Sequence, residues 1–260
     1  MSNGSDNVNY SVSNGVARIA LARPPVNALT IPLLRGLIGA LQRASADPAV
    51  RVVLLASDVS GRFSAGLDLP LMLTASPDEV RQTLQDLYIN LYDVQHNLGK
   101  PSVAVVNGTA RGGGMTLAIS CDIIIAADDA TLGYPEIDLG LPPAIHFAHL
   151  PRIVGRHRAF ELLFTGRSFT PQEGRELGLV SRIVPAGELD AAAGLLAEEL
   201  AGKPARGVTM ARAAFMRQND LDYRRSIAVA VEDFCNAFAT PEARAELEAF
   251  ARRKGKLPAA

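Results

Sequence analysis

The chain has 260 residues, 48% of them apolar, and can bury a large core as one big domain or a main domain with an appendage. Its 26 lysines and arginines against 27 aspartates and glutamates, a net charge of −1, leave no electrostatic footprint for nucleic acid. No apolar run approaches the roughly 20 residues that span a bilayer, and Cys121 and Cys235, far apart in apolar contexts, read as buried free thiols of a cytoplasmic protein.

Residues 1–9 are polar and lack the basic-then-apolar pattern of a signal peptide. Alternation over residues 9–21, centred on Asn14-Gly15, predicts a hairpin, because Asn-Gly adopts the type I′ turn that matches strand twist. Arg23-Pro24-Pro25 ends it. Residues 30–44 place Leu33, Leu34, Leu37, Ile38 and Leu41 on one helical face. Residues 50–56 form a continuous apolar run, the mark of a parallel strand buried on both faces. Ser76-Pro77-Asp78-Glu79 predicts a capping box opening a helix with Val80, Leu84, Leu87, Leu91 and Val94 as its stripe.

Residues 102–106 and 123–127 are two more buried runs. Between them the chain stops at Asn107-Gly108, crosses Gly112-Gly113-Gly114, and continues as a helix through Ser120. Repeated strand, helix and strand predict right-handed crossovers. After Pro142 strands nearly cease: residues 157–165 read as a helix, Thr170-Pro171-Gln172-Glu173 as a second capping box, 179–184 as a short strand, and everything from Gly187 as helix. The expected architecture is α/β, with a core over residues 1–185 and a helical portion over 186–260. Apolar stripes such as Ile227, Val231, Phe234 and Phe238 suit packing on a neighbouring subunit.

Three turns carry candidate chemistry. The three glycines leave the first N–H groups of a helix free to meet an oxygen anion, or simply allow close strand–helix packing. Gly61-Arg62-Phe63-Ser64-Ala65-Gly66-Leu67-Asp68 follows a buried strand and belongs at the same carboxyl edge, where α/β sheets bind ligands. One N–H from each turn can converge on one oxygen and stabilise an enolate. The third turn carries Glu136 after Pro135. In apolar surroundings its pKa would rise toward that of a useful base, although a glutamate beside a proline is alone more commonly a solvated loop residue.

These residues carry a resemblance. Arg23-Pro24-Pro25-Val26-Asn27-Ala28-Leu29, Phe63-Ser64-Ala65-Gly66-Leu67-Asp68-Leu69, Asn107-Gly108 with Gly112-Gly113-Gly114, Cys121-Asp122, Pro135-Glu136-Ile137 with Leu139-Gly140, Gly178-Leu179-Val180 and Ala249-Phe250 stand in the order of the crotonase (enoyl-CoA hydratase/isomerase) superfamily. The resemblance implies a crotonase-like ββα spiral with a helical trimerisation portion, assembled as a homotrimer or hexamer. It implies an acyl-CoA substrate and no cofactor beyond the coenzyme A that the substrate itself carries. The thioester oxygen would lie between the N–H groups of Leu67 and Gly113. Val26, Ala28, Ala65, Gly66, Asp68, Leu69, Gly112 and Thr116 match positions around substrate and coenzyme A, with capping an equal role for Asp68.

The departures choose among reactions. Family hydratases carry two glutamates; Glu136 matches one, and Thr116 stands where the other would be. A single carboxylate suffices to move a proton between C2 and C4, as in the family's Δ3-Δ2-enoyl-CoA isomerases, so isomerisation is preferred. The runner-up is hydration, with water positioned by Glu136 and Thr116. Pro143-Ala144-Ile145-His146 replaces a glycine-rich stretch near the acyl end. His146 could add a second proton-transfer group and is spaced from His149 as metal ligands can be, but with no third ligand apparent both read as ordinary helix histidines and no metal is expected. A serine hydrolase at Ser64 and a non-catalytic CoA- or RNA-binding relative (Arg152, Arg156 and Arg158 are its short basic cluster) are the readings from other classes.

Overall fold

The computed structural model describes residues 7–219, 227, 231–232, 234–236 and 238–255, so most of the polar stretch at residues 1–9 lies outside the described residues. Its strands are β1 (Val8–Ser13), β2 (Val16–Leu21), β3 (Val52–Ser57), β4 (Gly61–Ser64), β5 (Ser102–Val106), β6 (Gly108–Arg111), β7 (Ile123–Ala127), β8 (Leu132–Gly133), β9 (Ser168–Phe169) and β10 (Arg182–Val184). They form two sheets: β1-β2-β3-β5-β7-β10, and β4-β6-β8-β9. Three times in succession the chain leaves a strand of the first sheet and enters the second at once. This crotonase-like α/β spiral is the fold the motif order implied.

The hairpin forms as expected, with Asn14 and Gly15 both at positive φ. β2, β3, β5, β7 and β10 pair in parallel, and β3 and β5 are buried along their whole length. The second sheet corrects one boundary. Asn107-Gly108 is not the turn into the helix, because the chain runs on as β6, beside β4. A side chain at Gly108 would stand 2.1 Å from the Gly61 carbonyl, so the glycine permits the close approach of two strands. The turn is therefore confined to Gly112.

The helices begin where their caps dictate. Thr30 accepts from the Leu33 N–H at the start of Ile31–Ala46, and the Ser76–Glu79 box has both its halves at Pro77–Leu84. Thr170 caps Pro171–Glu176, but Glu173 does not reach back; Arg167 takes both its carboxylate oxygens. A bidentate guanidinium outcompetes one neutral backbone donor. Ile227, Val231, Phe234 and Phe238 join the same apolar core as the sheets, so these residues face their own chain. Both cysteines are free, Cys121 buried and Cys235 half-buried. Among the described residues no helix is long and apolar enough to cross a membrane.

Candidate active site

The first turn is pinned from beneath by Asn27. This residue is fully buried at φ +50°. Its amide donates to Ser57 Oγ at 2.7 Å and the Phe63 carbonyl at 3.0 Å, and its Oδ1 accepts from the Arg23 N–H at 2.8 Å. Sequence reading missed this pin; the available signal was a lone amide between Val26 and Ala28. Ser64 is also fully buried, donating from Oγ to the Asn27 carbonyl at 2.8 Å and accepting from the Gly66 N–H at 3.2 Å. A hydroxyl so occupied is a structural clamp, which removes the serine-hydrolase reading.

A short parallel bridge then fixes Leu67. The Leu29 N–H donates to the Gly66 carbonyl at 2.8 Å and the Asp68 N–H to the Leu29 carbonyl at 3.0 Å. The bridge uses the groups on either side of Leu67, so its own N–H points away from Leu29. Gly66 sits at φ +86°, and a side chain there would stand 2.8 Å from the Arg111 carbonyl and 3.1 Å from the Gly113 nitrogen. The two glycine turns are thus in contact. Gly113 opens the helix Gly113–Ser120, where a first-turn N–H has no carbonyl one turn back.

The third turn lays its carboxylate on the second. Pro135 starts a short 3-10 helix, Pro135–Leu139, and Gly112, at φ +49°, lies directly under Glu136: a Cβ at Gly112 would be 2.8 Å from Oε1. The Glu136 side chain is only 14% exposed, and Oε2 has no hydrogen-bond partner. Burial pushes its pKa up to about 7, against a smaller opposing contribution from its own backbone N–H. The solvated-loop alternative for Glu136 does not hold.

Ala65, Gly66, Leu67, Leu69, Gly112, Gly113 and Glu136 line one cleft of about 60 Å³, with Met72, Tyr88, Leu139, Leu141, Phe234 and Phe238 as its apolar walls. Tyr88 escaped the sequence reading because a π-type turn at Gln85–Asn90 shifts the helix face. Phe234 and Phe238 were read as a subunit-facing stripe. Val26 and Ala28 are half-buried beside the first turn, where Val26 accepts from the Ala65 N–H at 3.0 Å. Asp68 caps Leu69–Thr74 and pairs with Arg23 at 2.8 Å.

Thr116 is not in the cleft lining. It is fully buried, with Oγ1 3.4 Å from His146 Nε2. His149 Nδ1 is 2.8 Å from the Tyr92 hydroxyl, and no group of three or more metal-ligating side chains occurs among the described residues.

Residues 11–257 match the family described as Enoyl-CoA hydratase/isomerase. The crotonyl-CoA hydratase of Syntrophomonas wolfei subsp. wolfei is 30% identical over 251 residues, 96% of each chain. Among solved structures, an enoyl-CoA hydratase/isomerase from Xanthobacter autotrophicus Py2 superposes with a TM-score of 0.88 at 29% identity, over 96% of this chain and 94% of that one. An enoyl-CoA hydratase from Bacillus anthracis does so with 0.79 at 30% identity, over 95% and 97%.

Proposed function

The chain belongs to the enoyl-CoA hydratase/isomerase family, and on that premise we propose that it shifts the double bond of an enoyl-CoA thioester. The observation that carries this reading is that Glu136 is the one carboxylate among the described residues that line the cleft. Glu136 is there, whereas Thr116, at the position of the family hydratases' second glutamate, is sealed behind it. Glu136 takes a proton from C2 of a 3-enoyl thioester. The electron pair moves into a dienolate, negative charge collects on the thioester oxygen, and the proton returns at C4 to leave the 2-enoyl product.

The Leu67 and Gly113 N–H groups hold that oxygen as charge develops, each worth about 3–4 kcal/mol to the barrier. A pKa of about 7 suits a group that must both take and return a proton near neutrality. Coenzyme A enters as part of the substrate, against Val26, Ala28 and the first turn.

The test supplies a 3-enoyl-CoA and a 2-enoyl-CoA separately to wild type and to Glu136→Gln. Interconversion of the two enoyl isomers by wild type, falling roughly 10²- to 10⁴-fold or more in the variant, is the expected result. Unchanged turnover in the variant removes Glu136 from the mechanism. Hydration of 2-enoyl-CoA is the second reading, favoured by the name of the Syntrophomonas relative; fast formation of the 3-hydroxyacyl product overturns the isomerase preference. A homotrimer or hexamer, to be read by sedimentation equilibrium, would bury the exposed Phe147, Phe160 and Phe164 stack.

A further inference from the structure

Outside the cleft, against Glu136, lies a closed polar cluster that the proposed reaction does not use. His146 is fully buried. Its Nε2 stands 3.4 Å from Thr116 Oγ1 and 3.9 Å from Glu136 Oε1, and the Gly112 backbone lies beside the ring. Nδ1 has no partner. The ring packs on Tyr134 with centroids 4.4 Å apart, and on His149 at 5.6 Å.

The environment decides the tautomer. Every polar neighbour of Nε2 can accept: the Thr116 hydroxyl and the Glu136 carboxylate. A buried N–H aimed at nothing costs more than an unused ring lone pair, so the proton belongs on Nε2. Burial pushes the ring pKa down to about 3, which keeps the imidazole neutral wherever Glu136 titrates. The titratable groups facing Glu136 among the described residues are Tyr88 from the π-type turn, Tyr134 beside it and His146 from the helix Ala144–Val154, with His149 behind. None of them supplies a positive charge.

We propose that His146 is the positioning residue for Glu136: its Nε2–H donates to Oε1 of the ionised carboxylate and fixes the orientation in which the carboxylate exchanges the proton with substrate. A contraction of about 1 Å brings the contact to ordinary N–H···O length. Such bonds are often long before substrate draws the site together. Thr116 competes for the same Nε2–H. The threonine in the second glutamate's place thereby sets how much of the histidine reaches Glu136. The inference rests on Glu136 as the proton carrier, but its test does not require turnover.

The Glu136 carboxyl is titrated by carbon-13 NMR in glutamate-labelled protein, with Glu136→Gln assigning the signal. His146→Phe is expected to raise the Glu136 pKa by about one pH unit, because a donor to the charged form is lost. It should lower kcat about 100-fold with little change in KM. His146→Gln, which retains an N–H donor, should restore most of both. Thr116→Val, which frees Nε2–H, should move the pKa the opposite way.

An unchanged or lowered pKa in His146→Phe, equal behaviour of the Phe and Gln variants, or a raised pKa in Thr116→Val overturns the proposal. If His146→Phe does not fold, the sign of the Thr116→Val shift decides. A chain that titrates as expected yet turns over neither enoyl-CoA isomer sinks the proposed reaction and leaves the positioning role standing.

Discussion

The cleft has two walls built on opposite physical terms. One is backbone: the turns at Gly66 and at Gly112 through Gly114 touch at distances no side chain tolerates, and they offer N–H groups fixed by a strand bridge and a helix start. The other is the Glu136 side chain and the cluster that backs it outside the cleft: Glu136 Oε2, His146 Nδ1 and the Tyr134 hydroxyl are buried with no hydrogen-bond partner. Unsatisfied buried polar groups cost about 1–3 kcal/mol each, so this wall gives up stability that the first wall helps to supply. The two should therefore respond oppositely to mutation. Changes to the backbone wall should damage fold and activity together; changes to the side-chain wall should damage activity while sparing or raising stability.

The largest expected effect is Gly114→Ala. The added Cβ would stand 2.3 Å from the Ser64 carbonyl oxygen, a backbone atom that cannot give way without moving the first turn. A stability loss above about 4 kcal/mol is expected in denaturant titration. A well-folded, active Gly114→Ala would show that the two turns are not held in contact.

Glu136→Gln tests the other wall. The carboxyl titrates at about 7 in the folded chain against an ordinary value of 4.5, so between those pH values the folded state keeps a proton that the unfolded chain has released. Stability contributed by the protonated form is complete below pH 4.5 and is lost as pH rises through 7. Glutamine does not titrate. Relative to wild type, the variant should therefore gain roughly 3 kcal/mol between pH 5 and pH 8, while turnover collapses. A stability difference that is flat with pH would mean that Glu136 is solvated in solution.

Ser64→Ala is smaller and breaks the backbone wall without steric conflict. It removes the bond to the Asn27 carbonyl and the acceptor for the Gly66 N–H, both buried. A loss of about 1–3 kcal/mol is expected, with kcat falling because the Leu67 N–H loses its fixed direction. If stability falls and kcat does not, Leu67 is held by its bridge to Leu29 alone.

The backbone wall was largely legible in the sequence, and the side-chain wall was not. Glycines at Gly66 and Gly112, apolar runs at β3, β5 and β7, and the caps at Ser76 and Thr170 are local signals, and each appears where local chemistry puts it. The contact of Glu136 with His146 joins residues ten apart through a 3-10 turn, two prolines and a helix, and no periodicity reports it. A histidine with apolar neighbours reads as core by residue type; only burial beside a carboxylate separates it from one. The split between two sheets was hidden for a related reason. β4, β6 and β8 are two to four residues long, too short for alternation to reveal, and only the steric demand at Gly108 marks the crossing.

Asp68 stands where the two walls meet, and it gives the smallest and most discriminating prediction. Its carboxylate caps Leu69–Thr74 through the Leu71 N–H at 3.3 Å and pairs with Arg23 at 2.8 Å, with its side chain 12% exposed. Asparagine is as good an N-cap as aspartate, so Asp68→Asn keeps the cap and removes only the charge. A capping and pairing role predicts a loss of about 1 kcal/mol, set by the partly exposed ion pair, and a KM for acyl-CoA within about twofold of wild type. A ligand role predicts the reverse: little change in melting, with KM raised tenfold or more. Because both of its contacts are already made within the chain, Asp68 should behave as a member of the backbone wall, felt by the substrate only through the turn that it steadies.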